Sequence, residues 1–498
     1  MLSVVEQTRV RVSKSTAAQK KSDFGQFLTP VRTAQFMAGL FGEGIGGSCR
    51  LLDPGAGIGS LSCAFLDRCA SGKLSFNDIA VSAFELDESL HGDLKHSLAQ
   101  YASALPLAFE IHGGDFIEEA ADRVQRGFTK EFTHAILNPP YKKIGSKTYH
   151  RHLLGKVGIE TVNLYSAFVA LSLAMLRPGG QLVAIVPRSF CNGPYYRPFR
   201  SFILRRAALK HIHLFGSRST AFKDDEVLQE NVIIMLERAA KQGTVTISCS
   251  TDDTFGDLAT HAHSFQSIVS PTDPESFIHI PTVPQNKGGK TIEPFHNSLK
   301  EIGIEVSTGP VVDFRLKEHL RQLPEKNTVP LLYPGHFQQR KTVWPQPESK
   351  KPNALLRNAE TERWLFPAGF YCVVRRLSSK EEKRRIVANV VDPGDFADSE
   401  ALGFENHLNV FHENKRGLPA ALARGLALFL NSSTVDEAFR RFSGHTQVNA
   451  TDLRQLKYPS RAALIALGET LRTMPHDQQT IDDLIKEMER RDHQETTN

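Results

Sequence analysis

A chain of 498 residues exceeds what one hydrophobic core usually supports, and a composition 40% hydrophobic and 23% charged is that of a soluble globular protein, so two domains are expected. No apolar run approaches the roughly 18 residues of a membrane span, the N-terminus lacks a signal-peptide core, and six scattered cysteines without a CxxC pair read as reduced thiols and give no zinc site. The expectation is a cytoplasmic protein without metal or membrane attachment, and a net charge of +5 with a pI near 8.8 is compatible with a nucleic-acid partner.

In chain order, Phe24-Gly25-Gln26-Phe27-Leu28-Thr29-Pro30 precedes a helix predicted near 31–41. Residues 49–61 read as a strand over 50–54, a glycine-rich turn and the start of a helix over 60–71. Gly55, Gly57 and Gly59 let the backbone approach a ligand where a Cβ would clash. Their spacing alone is also that of a dinucleotide fingerprint. Asp53-Pro54 ahead of the first glycine is not the usual dinucleotide arrangement, however, and no lysine follows to make a phosphate loop, so a cofactor without a pyrophosphate fits better. A second strand over 79–86 carries Glu85 near its carboxyl end, where it can accept from both hydroxyls of a ribose or simply be a solvated strand-end carboxylate. After a helix near 88–102, a strand over 107–112 leads to Asp115 and Phe116, which can meet an adenine amino group and ring; Asp115 can equally cap a following helix.

The fourth strand, 133–138, closes on Asn138-Pro139-Pro140-Tyr141. Such a corner solves one chemical problem, methylation of an amino group whose lone pair is delocalised into a ring or carbonyl. The Asn138 side-chain oxygen and the Pro139 carbonyl accept both amino hydrogens, pulling the nitrogen toward a nucleophilic geometry, and the prolines keep the two acceptors rigid. Tyr141 offers a flat face to a planar substrate. Asn-Pro-Pro also ends strands in ordinary turns, so the motif argues through its company. Helices near 163–177 and 196–207 and strands over 181–187, 209–215 and 227–237 complete an alternating α/β pattern, a doubly wound parallel sheet with ligands at its carboxyl ends. The last two strands are joined by a connection too short for a helical crossover, which predicts an antiparallel hairpin at that edge.

With these residues in place, the chain resembles the gamma-class adenine-specific DNA methyltransferases of restriction-modification systems, PstI/BsuBI-like, most specifically over residues 24–238. The resemblance implies a Rossmann-like methyltransferase fold, S-adenosylmethionine as cofactor, double-stranded DNA as substrate, base flipping, and a cognate restriction endonuclease on a separate polypeptide. By carry-over, Phe27, Thr29 and Pro30 become contacts to the methionine end of the cofactor. Asp53, the three glycines, Glu85, Asp115, Phe116 and Asn138 become the rest of its site. Tyr141 and Phe222 become the aromatics that hold the extruded base, with Phe215 the rival to Phe222 and core packing the alternative for both. The segment 163–168 resembles one lining the cofactor pocket, where helical spacing makes Phe168 core rather than contact.

Residues 239–300 carry Ser, Thr, Pro and Gly with little periodicity, so the expected division is a methyltransferase domain over 1–240, a connecting segment over 241–298 and a mixed α+β target-recognition domain over 299–498. In the last, Ser443 to Leu453 resembles a loop-to-helix pattern of DNA-reading domains. Asn449 or Thr451 would cap its helix, and Gln447, Asn449 and Arg454 have the chemistry for base edges or phosphates. Three rivals share part of this pattern. Cytosine 4-amino methylation uses the same geometry with Ser more often in place of Asn138, release-factor glutamine methylation lacks so large a C-terminal domain, and a catalytically silent DNA-binding specificity protein would not need the intact set Asp53, Glu85, Asp115 and Asn138.

Overall fold

The computed structural model describes residues 1–15, 28–42, 47–216, 230–271, 273–280, 295–378, 382–396, 399–442, 447–471, 475 and 477–495. The chain forms two compact units, Met1–Lys287 and Gly288–Asn498.

The first unit is built on a nine-stranded sheet. Its first five strands are β1 (Ser48–Pro54), β2 (Asp78–Phe84), β3 (Leu107–His112), β4 (Phe132–Leu137) and β5 (Leu176–Pro187). Then come β6 (Ala207–Phe215), β7 (Asn231–Arg238), β8 (Thr244–Ser250) and β9 (Ala259–Ser264). The order is β3-β2-β1-β4-β5-β7-β6-β8-β9. Strands β3 to β5 run parallel to one another, and β7 is antiparallel to both β5 and β6. This is the expected Rossmann-like sheet with its antiparallel hairpin. The hairpin is not the edge, because β8 pairs parallel to β6 and β9 antiparallel to β8. The segment expected to connect the domains thus supplies two strands to the first unit. Most of β9 is exposed, as suits an edge strand, and so it lacks an apolar pattern.

Helices cover both faces. On one lie α1 (Leu2–Ser15), α2 (Val31–Gly39), α3 (Ser60–Ala70) and α4 (His91–Ala99), enclosing a core with Ile136, Val183, Ile185 and Ile233. On the other lie α5 (Phe116–Gln125), α6 (Tyr149–Lys156), α7 (Leu164–Met175) and α8 (Arg197–Arg206), around Leu137, Ala184, Val186 and Val232. Adjacent strand residues alternate between the two cores, as the pleat requires. β4 is buried along its whole length, as the unbroken apolar run before Asn138 implies.

The second unit contains a four-stranded and a five-stranded sheet of short strands, and helices that include α9 (Ala420–Leu430) and α10 (Arg461–Glu469). These two helices touch through glycine: a Cβ on Gly425 would lie 1.8 Å from the Leu464 carbonyl oxygen, and one on Gly468 1.8 Å from that of Ala421. Among the described residues no helix is long and apolar enough to cross a membrane, and no group of three or more His, Cys, Asp or Glu could hold a metal.

Candidate active site

The glycine turn follows β1 at the carboxyl end of the sheet. Gly55, Gly57 and Gly59 have φ of 78°, 57° and 86°, a conformation that strains any residue with a Cβ. Gly55 and Ala56 both donate their backbone N–H to the Phe84 carbonyl at 2.8 Å, folding the turn onto the end of β2. A Cβ on Gly57 would come within 2.8 Å of the Leu28 side chain, so the segment before α2 closes over the turn. Phe168 lies behind it, 3.8 Å from where a Cβ on Gly55 would be.

Glu85, 5% exposed, accepts from the Gly57 amide at 2.8 Å through Oε2 and from the Asp87 amide at 2.8 Å through Oε1. Asp53 is fully buried. Its Oδ2 accepts from the Ser62 hydroxyl at 2.6 Å, while its Oδ1 has no partner. Burial pushes its carboxyl up to about 7 against the Ser62 hydrogen bonds, and the Glu85 charge adds to the rise. A buried acceptor without a partner suits a donor that arrives with the ligand, above all a cation.

Asp115 caps a helix, a role that does not preclude a ligand contact. It is the N-cap of α5, its Oδ1 accepting from Ile117 at 2.8 Å and Glu118 at 3.2 Å, while Oδ2 meets His150 Nε2 of α6 at 3.1 Å. Burial alone would raise Asp115, but the His150 interaction and the two amides outweigh it and hold the carboxyl low; Asp115 in turn raises His150. No sequence feature singled out His150. Phe116 is buried between Phe84 and Phe168, at ring distances of 5.1 Å and 4.9 Å.

Asn138 leaves β4 two strands from Glu85. Its Nδ2 donates to Thr29 Oγ1 at 3.0 Å, which orients the amide and presents Oδ1 on the other side. The Tyr141 hydroxyl donates to that Oδ1 at 3.2 Å and to the Ile185 carbonyl at 3.4 Å, and burial raises its phenol. Thr29, expected at the cofactor, therefore also sets the Asn138 amide, a link between residues 109 apart in sequence. Pro30 precedes α2 at its N-cap. Phe27 and Phe222 lie outside the described residues. Phe215, the rival to Phe222, packs in the core against His213 and Phe255 at ring distances of 4.7 Å and 5.9 Å and is 4% exposed.

In the second unit Asn449 occupies the N-cap of the helix Ala450–Gln455, and the Asp452 carboxylate accepts from its backbone and side-chain nitrogens at 2.9 Å and 3.2 Å. Gln447 accepts from Arg376 at 3.4 Å, and the exposed Arg454 donates to the Val306 carbonyl at 2.8 Å. Arg454 lies on this short helix, Asn449 caps it, and Gln447 precedes it.

The family described as Eco57I restriction-modification methylase matches residues 79–222. M.BsuBI, a type II methyltransferase of Bacillus subtilis, is 50% identical over 94% of this chain and 94% of its own. M.PstI, a type II methyltransferase of Providencia stuartii, is 41% identical over 97% of this chain and 96% of its own. Among solved structures, a DrdV–DNA complex aligns over 94% of this chain and 59% of that chain, at 14% identity and a TM-score of 0.48. The chain belongs to the PstI/BsuBI-like type II DNA methyltransferases of restriction-modification systems, with S-adenosylmethionine as its cofactor.

Proposed function

We propose that the chain methylates the 6-amino group of an adenine swung out of a specific site in duplex DNA. The observation that carries this reading is the corner at Asn138, whose amide is oriented by Thr29 so that Oδ1 and the neighbouring Pro139 carbonyl can take both hydrogens of an aromatic amine. Those bonds strengthen as charge develops on the nitrogen, and the rigid prolines keep them aligned with the incoming methyl group. S-adenosylmethionine supplies that methyl on a sulfonium. Thr29 and Pro30, with Phe27, face its methionine end, the buried Asp53 oxygen takes its ammonium, Glu85 its ribose, and Asp115 and Phe116 its adenine. Tyr141 stacks on the target ring, with Phe222 assigned to the opposite face. No thiolate is needed, since the amine attacks directly.

Extruding a base costs a few kcal/mol, offset by stacking and phosphate contacts. The unit Gly288–Asn498 supplies sequence reading in this scheme, with Gln447, Asn449 and Arg454 as its candidate contacts, and the cognate endonuclease is a separate polypeptide. The test is digestion of DNA methylated by the chain to nucleosides. N6-methyladenine is expected, and its loss in Asn138→Ala with cofactor binding kept within a few-fold. N4-methylcytosine instead would overturn the choice of base, and cofactor binding with no methylated DNA would make the chain a silent DNA-binding protein.

A further inference from the structure

The carboxyl end of the parallel strands, where Asn138 stands, holds a second set of hydrogen-bonding groups without a partner among the described residues. Asn231, the first residue of β7, is 3% exposed, and neither its amide nitrogen nor its amide oxygen has a partner. Asn192, in the turn that follows β5, is fully buried and in the same condition. An unpartnered buried amide group costs about 1–3 kcal/mol, and such groups are rare. At the mouth of the sheet, the unpartnered amide of Asn231 marks a place where hydrogen bonds can arrive with a ligand.

The register fixes where Asn231 stands. β7 runs antiparallel to β5 with Pro187 opposite Asn231 and Ile185 opposite Ile233, so β7 begins where β4 and β5 end. The pair Arg188–Glu230, at 2.6 Å and both side chains 3% exposed, fastens that beginning to the exit of β5. By alternation Asn231 shares the sheet face of Ile233, Ile185 and Ile136, the face on which Asn138 meets Thr29. Leu137 is opposite Ala184, which puts Asn231 two strands across from Asn138 and two residues further out. With about 4.8 Å between strands and about 3.4 Å per residue, their Cα atoms stand roughly 12 Å apart. Two asparagine side chains rising from one sheet face at that separation can reach opposite edges of one aromatic ring.

We propose that Asn231 binds the target base on its ring edge, its Nδ2 donating to a ring nitrogen while Asn138 and Pro139 hold the exocyclic amine. The inference rests on the adenine reading above and deepens it. An exocyclic amine with a ring nitrogen beside it is common to adenine and cytosine, whereas N3 and N7 belong to adenine alone, so the ring nitrogen that Asn231 meets decides whether it also selects the base.

The experiment measures kcat/KM for wild type and Asn231→Ala on duplexes whose target adenine is natural, 1-deaza, 3-deaza or 7-deaza. With one of the three analogues the wild type should lose about tenfold, and Asn231→Ala, already about tenfold down on natural DNA, should lose nothing further. Losses that add for all three analogues would show that Asn231 touches no ring nitrogen, and the inference falls. Absence of N6-methyladenine from the wild type on natural DNA would instead bring down the adenine reading itself. Should Asn231→Ala fail to fold, Asn231→Ser, which keeps a small polar group but cannot reach the ring, carries the same comparison.

Discussion

Replacing Asp53 by Asn tests the energetics of the proposed cofactor site without touching the corner at Asn138. In the folded chain burial raises this carboxyl from 3.8 to about 7, while in the unfolded chain it titrates normally. Between those values the folded state holds a proton that the unfolded state has released. Stability from this group is therefore complete below about pH 4, falls as pH rises, and levels off above about pH 7. Three units at about 1.4 kcal/mol each make the total loss about 4 kcal/mol, of which about 2 has been lost by pH 5. Asn cannot ionise, and it preserves an acceptor for the Ser62 hydroxyl. The stability of Asp53→Asn relative to wild type should hence rise by about 2–3 kcal/mol between pH 5 and pH 8, read from urea unfolding of the cofactor-free protein at each pH. Any constant effect of the swap cancels in that difference. A gap that stays flat, or that shrinks as pH rises, would refute the buried, raised carboxyl. The same substitution should weaken S-adenosylmethionine binding, since the ammonium proposed to meet Asp53 loses the negative charge opposite it.

Thr29→Val removes the acceptor that orients Asn138, so turnover should fall about tenfold in single-turnover methylation at saturating cofactor. Tyr141→Ala should slow methylation more than Tyr141→Phe, because the ring face matters more than the hydroxyl bond to Asn138; equal losses would point to the hydroxyl. Asp115→Ala strips α5 of its cap and His150 of its partner, which should cost about 1–2 kcal/mol of stability in urea unfolding.

The parallel half of the sheet is legible because its strands are apolar runs that each end in a residue of distinctive chemistry: glycine after β1, Glu85 after β2, Asn138 after β4. Helix α5 is readable from Phe116, Ile117, Ala120 and Ala121 once Asp115 is taken as its cap. β8 and β9 are not, since a polar edge strand carries no alternation and only pairing defines it. The short strands of the second unit fail for a similar reason, having too few residues to show a period. Within the site, single motifs announce themselves, but the bond from Thr29 to Asn138 and the approach of His150 to Asp115 are contacts between distant segments. No local pattern encodes them. Asn231 stands out for another reason: its buried amide has no partner among the described residues.

The crossing of α9 and α10 leaves no room for a single methyl group at Gly425 or Gly468. An alanine at either position must force the two backbones apart, in a core that shares no residue with the cores of the first unit. The chain thus carries a natural fault line for genetics, where the smallest possible lesion should yield heat-sensitive alleles that impair the C-terminal half and spare the sheet.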